Sequence, residues 1–236
     1  MIEVNSLLPI KQLSSLELIW KEIEHSNDIK YIWCGKQPFR PIWELQKKLQ
    51  KLRKENRIPN MILFLEHEHV YTFGKNANRN YLLDSKSQDA DIVQIDRGGE
   101  VTYHGPGQLV VYPILDLCDF NKSISWYMRS LESVVIHTLD SLGIIGHRKE
   151  KLTGVWVNDD KICAMGVRLS KWVTMHGFAL NLNPNMKYFD GIIPCGIFDL
   201  GITSISELNV DISMDMLVEQ IKTSFNIYFN KEEYEV

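Results

Sequence analysis

The sequence predicts a mixed α/β domain, an α+β arrangement in which helices pack on a mixed sheet. Three observations carry this. Stretches with apolar residues at helical spacing are interspersed with short strand-like runs. Those runs do not follow a regular strand–helix–strand alternation. The chain has 236 residues, of which 44% are hydrophobic and 24% charged, which suits one ordinary globular domain with a sizeable core.

Residues 13–30 place Leu13, Leu16, Ile19, Trp20 and Ile23 on one helical face. A second helix is expected from about Pro41 to Asn56. Pro41 suits a first turn, Ile42, Leu45, Leu49 and Leu52 line one face, and Lys47, Lys48, Lys51, Arg53 and Lys54 fall largely elsewhere. Met61–Leu65, Val70–Phe73, Ile92–Ile95 and Gln108–Ile114 read as strands. Residues 125–142 form a third helix candidate with Trp126, Met128, Leu131, Val134, Val135, Thr138 and Leu142 as its stripe, and Gly143 suits its end. Gly154–Val157 and Lys161–Leu169 read as a hairpin turning at Asn158–Asp160, Trp172–Leu182 as a further strand, and residues 211–229 as a closing helix. Residues 1–30 stand apart as an N-terminal extension of open role, and 31–236 as a single catalytic domain.

Composition excludes several classes. A net charge of −4 does not suggest a nucleic-acid binder. Cys34, Cys118, Cys163 and Cys195 form no CxxC pair, and in a chain of this length reduced thiols are the better reading. The first residues lack the charged start and apolar run of a signal peptide, and no apolar run approaches the ~20 residues of a membrane helix. The expectation is a cytoplasmic protein without a membrane or nucleic-acid partner, and a monomer.

Three segments carry chemistry. Arg97–Gln108 packs four glycines and a proline between apolar runs. This is either an irregular turn or a wall of backbone N–H groups around a ligand carbonyl, with Arg97 and His104 beside it. Neither a GK[ST] nor a dinucleotide GxGxxG pattern is present. In Lys161–Arg168, a strand would put Lys161 and Cys163 on one face; Lys161 alone reads as a surface lysine and Cys163 as a core cysteine. Cys195 sits between Pro194 and Gly196, which favours a turn. A loop cysteine can be presented to substrate, although most cysteines are inert. His67 and His69 would share a strand face as metal ligands might, but the sequence offers no third ligand, so no metal is expected. His176 is either a satisfied core histidine or part of a site wall.

Together these segments resemble the lipoyl(octanoyl) transferase family, the LipB-type octanoyltransferases. The matching residues are RGGEVTYHGPGQLVVYPI at 97–114, GVWV at 154–157, KICAMGVRLSKWVTMHGFALNLN at 161–183 and GIIPCGI at 191–197, with weaker support from EHEHVYTFG at 66–74 and WELQKKL at 43–49. The likeness spans roughly residues 31–210, and several ordered motifs agree far less often by chance than one.

The resemblance implies the fold of the biotin and lipoate protein ligases. It implies transfer of an octanoyl group from octanoyl-acyl carrier protein to a lysine of lipoyl domains, in 2-oxoacid dehydrogenase complexes and the glycine cleavage H protein, as the first step of endogenous protein lipoylation. It maps the nucleophile onto Cys195 and its partner lysine onto Lys161. The acyl-binding segments map onto Arg97, Gly98, Gly99, Glu100, Val101, Thr102, Tyr103 and His104, onto Ala164, Met165 and Gly166, and onto Gly177, Phe178 and Ala179. Cys163 stands where the family pattern leads one to expect a small residue such as alanine, which sets a second thiol beside the implied site. No cofactor is implied, since the donor arrives activated. The Lys47–Arg57 segment and His147–Lys149 with Lys151 are candidate basic patches for acidic partners. The alternatives are an ATP-dependent lipoate or biotin ligase on the same fold, a cysteine hydrolase using Cys195 with His104 or His176, and a carrier-protein-binding module without catalysis.

Overall fold

The structure, a computed structural model, describes residues 29–193 and 201–229 together with the backbone of Leu8–Pro9. The helix expected over 13–30 and the cysteine at 195 lie outside the described residues.

The chain opens with β1 (Leu8–Pro9), β2 (Lys30–Gln37), α1 (Phe39–Lys54) and β3 (Met61–His67). β4 (Val70–Phe73), β5 (Asp91–Gln94), β6 (Thr102–His104) and β7 (Gln108–Ile114) follow. Then come α2 (Ile124–Ser141), β8 (His147–Lys149), β9 (Leu152–Val157), β10 (Asp160–Ser170), β11 (Val173–Asn181) and α3 (Met214–Tyr228). Eight strands form one sheet in the order β1-β2-β3-β7-β11-β10-β9-β8, and β5-β4-β6 form a smaller one. β1–β2 and β2–β3 pair in parallel and the remaining neighbours of the large sheet pair antiparallel, so the sheet is mixed, as expected. Leu8–Pro9, inside the expected N-terminal extension, lies along β2 at the edge of this sheet.

Helices cover both faces of the large sheet. α1 starts at Phe39, so Pro41 falls in its first turn, where backbone N–H groups have no intrahelical partner and proline costs little. Ile42, Leu45 and Leu49 bury against Ile32, Leu63, Leu65, Val110 and Met175. On the opposite face, Leu131, Val134 and Val135 of α2 and Leu217, Val218, Ile221 and Phe225 of α3 pack on Ile62, Phe64, Val111, Phe178 and Leu180. Ser123 and Ser213 cap these two helices by accepting from Trp126 and Met216 N–H. Gly143, at φ +74°, follows the α2 C-cap, as its position in the sequence suggested.

Several differences from the sequence reading matter for the site. Thr102–His104 is a strand inside the glycine-rich segment, and β2 and β8 were not anticipated. His147–Lys149 runs along the sheet edge, and Arg148 binds Glu132 (Nε–Oε2 2.9 Å). Arg53 is 8% exposed and pairs with Asp119 at 2.7 Å. The two basic segments are thus partly used by the fold. His67 and His69 do not share a face. β3 ends at His67, whose ring meets Gln37 and Tyr112, while His69 bonds Tyr103.

Candidate active site

A cavity of about 260 Å³ opens between β10–β11 of the large sheet and the glycine-rich segment leading into β6. Its floor follows from cross-strand register. Ala164 lies opposite Ala179 and Gly166 opposite Gly177. Two adjacent pairs of small residues leave the sheet surface bare, and the space is kept as cavity. Arg97, Gly99, Glu100, Val101, Thr102 and His104 form the facing wall, with Phe39, Ile95 and Tyr112 at the α1 side.

The glycine-rich segment is docked by close backbone approach. Gly98 N–H donates to the Val167 carbonyl at 3.2 Å, and a Cβ on Gly166 would meet the Gly98 carbonyl oxygen at 2.9 Å. Arg97 is buried. Its Nη2 donates to the Thr72 carbonyl (2.8 Å) and hydroxyl (3.0 Å), which ties the wall to the small sheet.

Lys161 lies at the β9–β10 end of the cavity, 7% exposed. A β-bulge between Lys161 and Cys163 puts it there. Lys161 pairs with Trp156 and Cys163 with Val155, so two steps on β10 match one on β9. Ile162 and Cys163 consequently both enter the core, while Lys161 and Ala164 both line the cavity. The shared face expected for Lys161 and Cys163 is therefore broken, because an extra residue inverts the alternation. Lys161 Nζ lies 4.7 Å from the centre of the Trp156 ring. A Cβ on Gly154 (φ +130°) would sit 3.4 Å from Lys161 Cε and 2.6 Å from the Cys163 carbonyl oxygen, so the lysine stem runs along this glycine and the backbone of β10 approaches it closely. Cys163 is fully buried, and burial pushes its thiol well above the usual thiol range.

The two ends of the segment from 194 to 200 meet this cavity. Ile192 and Ile202 both line it. Ile193 N–H donates to the Tyr81 carbonyl (2.9 Å) and Leu83 N–H to that of Gly191 (2.8 Å), which fixes the chain before the segment. After it, Lys161 N–H donates to the Gly201 carbonyl (2.9 Å), and Thr203 N–H donates to that of Lys161 (3.1 Å).

Three buried histidines surround the inner wall and are neutral. Burial holds His67 down at about 4, and holds His104 well below the usual range with help from His67 and Arg97. His176 is pushed to about 3 by burial, reinforced by Arg97, Arg168 and Lys47. Their partners fix the tautomers. His67 Nδ1–H donates to the Gln37 carbonyl (3.0 Å), so its Nε2 accepts from the Tyr112 hydroxyl (2.9 Å). His104 Nδ1–H donates to Gln108 Oε1 at 3.3 Å. Gln108 Nε2 donates to Asn181 Oδ1 (2.9 Å) and Asn181 Nδ2 to the Thr203 carbonyl (2.9 Å). A hydrogen-bonded line thus runs from the wall to the strand segment beside Lys161. His176 Nε2–H donates to Asp96 Oδ1 (3.0 Å), and Asp96 also pairs with Arg168. His176 adopts φ +60°. Strict alternation would put it on the face of Phe178 and Leu180; the left-handed residue turns the ring to Tyr112 on the other face, at the cavity.

Most residues singled out in the sequence meet at this cavity: Lys161, Arg97, Gly99 to Thr102, His104, Ala164 to Gly166, and Gly177 to Ala179. Gly98 and Tyr103 do not line it. Gly98 bonds β10 through its backbone, and the Tyr103 ring packs at 4.8 Å on Tyr188 with its hydroxyl on His69. Gln108 and Asn181 fall inside the quoted motifs yet were not singled out, because a buried amide has no periodic signal. Phe39, Ile95, Phe189 and Ile202 reach the site from separate elements, which spacing does not reveal. Among the described residues, no group of three or more His, Cys, Asp or Glu is arranged to hold a metal ion.

Comparison with known proteins agrees with this geometry. An octanoyltransferase from Cytophaga hutchinsonii is 44% identical over 209 residues, covering 81% of this chain and 86% of that protein. A bipartite lipoate protein ligase from Thermoplasma acidophilum superposes with a TM-score of 0.66 at 14% identity, covering 89% of this chain and 90% of that one. The biotin protein ligase of Aquifex aeolicus gives 0.54 at 14%, covering 87% and 72%. The expected kinship of fold with both ligase types is present. The model of the lipoyl protein ligase A/B catalytic domain matches residues 38–226, and the chain belongs to that family.

Proposed function

We propose that this acyltransferase moves an octanoyl group from octanoyl-acyl carrier protein to a lysine of a lipoyl domain through a thioester on Cys195, with Lys161 handling the proton. The observation that carries the reading is the buried Lys161 at the end of a cavity floored by small residues, with Ile192 and Ile202 at the same cavity. Cys195 is joined to Ile192 through Ile193 and Pro194, so chain length alone limits it to about 11 Å from that residue. Cys163, a neutral thiol in the core, is not suited to attack.

In the first step the Cys195 thiolate attacks the donor thioester carbonyl. The carbon–sulfur bond to the carrier breaks, and the departing thiolate takes a proton from the Lys161 ammonium. One thioester replaces another at little cost. In the second step the acceptor amine attacks the acyl-enzyme. Lys161 takes up its proton, Cys195 leaves as thiolate, and an amide forms, which draws the sequence forward. Burying seven methylene or methyl carbons at ~0.8 kcal/mol each contributes roughly 5–6 kcal/mol, enough for a graded preference by chain length. The acceptors are lipoyl domains of 2-oxoacid dehydrogenase complexes and the glycine cleavage H protein.

The test is intact mass after incubation with octanoyl-acyl carrier protein, without acceptor or ATP. Wild type and Cys163→Ala should gain a hydroxylamine-sensitive octanoyl adduct, and Cys195→Ala should not. An adduct retained in Cys195→Ala would overturn the assignment.

A further inference from the structure

The cavity end occupied by Lys161 is backed by a buried carboxylate. Glu132 on α2 is 3% exposed. Its Oε2 accepts from Arg148 Nε on β8 (2.9 Å) and from Arg129 Nη1 on α2 (2.8 Å). Its Oε1 accepts from the backbone N–H of Gly154 at 3.4 Å. Arg148 is itself held, since its Nη2 donates to the Arg129 carbonyl (2.9 Å) and to Ser133 Oγ (2.6 Å). A carboxylate taken out of water must keep such partners. One of them is the glycine beside which the Lys161 stem runs. Glu132 and Lys161 also act with opposite sign on the same buried thiol, Cys163, so both charges lie within range of one point in the core.

We propose that Glu132 is a positioning residue for Lys161. It fixes Gly154, the backbone along which the lysine stem runs, and it sets one buried negative charge on the same side of the core as the ammonium. The inference rests on the reading of Lys161 as the proton-handling group. Among the described residues, the other charged or titratable groups on the elements around this pair are Arg129 on α2, Arg148 and His147 on β8, and Lys149, whose Nζ lies 4.9 Å from the centre of the Trp156 ring. Lys151 stands at the cavity rim, and Asp160 and Cys163 flank Lys161 on β10. Arg129, Arg148, Lys149 and Lys151 bring positive charge. Glu132 is the buried anion among them, and its charge is opposite to that of the Lys161 ammonium.

The experiment follows acyl-enzyme formation from octanoyl-acyl carrier protein against pH in single turnover, with a melting temperature for each variant. Glu132→Gln keeps an acceptor for Gly154 but removes the charge. Its alkaline limb should move to lower pH by half a unit or more, with donor KM within twofold. Glu132→Ala should show the same movement and also lose at least tenfold in rate at pH 7. Arg148→Met removes a compensating cation, so its limb should move the other way, to higher pH, which tests the inference even if the Glu132 variants fold poorly. Unshifted profiles in the folded variants, or rate losses that merely follow the melting temperature, overturn it. Cys195→Ala separates the two levels. If it still forms the acyl-enzyme, the catalytic reading fails; if it is inert while the profiles stay unshifted, only the role of Glu132 fails.

Discussion

At the scale of single residues, Gly154 links fold to chemistry. A Cβ there would lie 2.6 Å from the Cys163 carbonyl oxygen and 3.4 Å from Lys161 Cε, at a φ of +130° that other residues rarely adopt. Gly154→Ala should therefore cost about 1–3 kcal/mol in stability and also slow octanoyl transfer, because relieving the approach to the Cys163 carbonyl shifts the stretch of β10 that carries Lys161. Gly143→Ala provides the contrast. Its φ is +74°, but nothing lies within 4 Å of the added methyl, so it should lower the melting temperature and leave kcat unchanged. Calorimetry and transfer assays on both variants check the pair, and equal kcat in the two would remove the link to Lys161. The residue types at this site were legible in the motifs, but their direction was not. Counting alternate positions puts Lys161 with Cys163, and one bulged residue undoes the count.

At the scale of elements, the hairpin of β10 and β11 makes the cavity floor. Its loop, Lys171–Trp172, has φ of +50° and +66° at both positions, the twist that a two-residue hairpin favours. The usual asparagine or glycine is missing, so the sequence shows two separate strands rather than a hairpin. The opposite case is β9–β10, where Asn158 at φ +52° marks the turn, and the turn was readable. β6 escaped notice because its three residues lie among glycines, and β2 because Lys30, Gly35 and Lys36 interrupt its apolar run. The small pairs Ala164–Ala179 and Gly166–Gly177 acquire meaning only once register places them across from one another. Their geometry makes a prediction about substrate. Ala164→Leu should fill the floor and lower the ratio of kcat/KM for octanoyl over butanoyl donors at least tenfold, since each methylene refused is worth ~1 kcal/mol or more. An unchanged ratio in a variant of normal melting temperature would remove the floor from chain-length selection.

At the scale of the whole molecule, α1, α2, α3, the mixed sheet and the motif order were legible because each rests on a local pattern. The convergence of α1, the small sheet and β11 on one buried polar wall was not, because no local pattern encodes it. That wall has a consequence for acid stability. His67 is neutral with a pKa near 4, His176 is held near 3 and His104 lies well below its ordinary value, whereas in the unfolded chain each titrates near 6.5. Below pH 6.5 the unfolded state then binds more protons than the folded one. Stability must therefore fall as pH falls, over a window from about 6.5 down to the folded values. For His67 the loss between pH 7 and pH 5 is about 2 kcal/mol. His176, held lower still by burial with Arg97, Arg168 and Lys47 nearby, loses stability in the same direction over the same window. Calorimetry at pH 7, 6 and 5 should show a melting temperature that drops progressively by several degrees. Unfolding at pH 5 should take up protons, measurable from the dependence of its enthalpy on the ionisation enthalpy of the buffer. His67→Gln, which has no proton to gain, should flatten the fall even if it starts from a lower stability. A melting temperature level from pH 7 to 5, with no proton uptake, would mean that the wall already holds its histidines charged; the Tyr112 hydroxyl would then accept from His67 Nε2–H instead of donating to it, while the bond to the Gln37 carbonyl would stand.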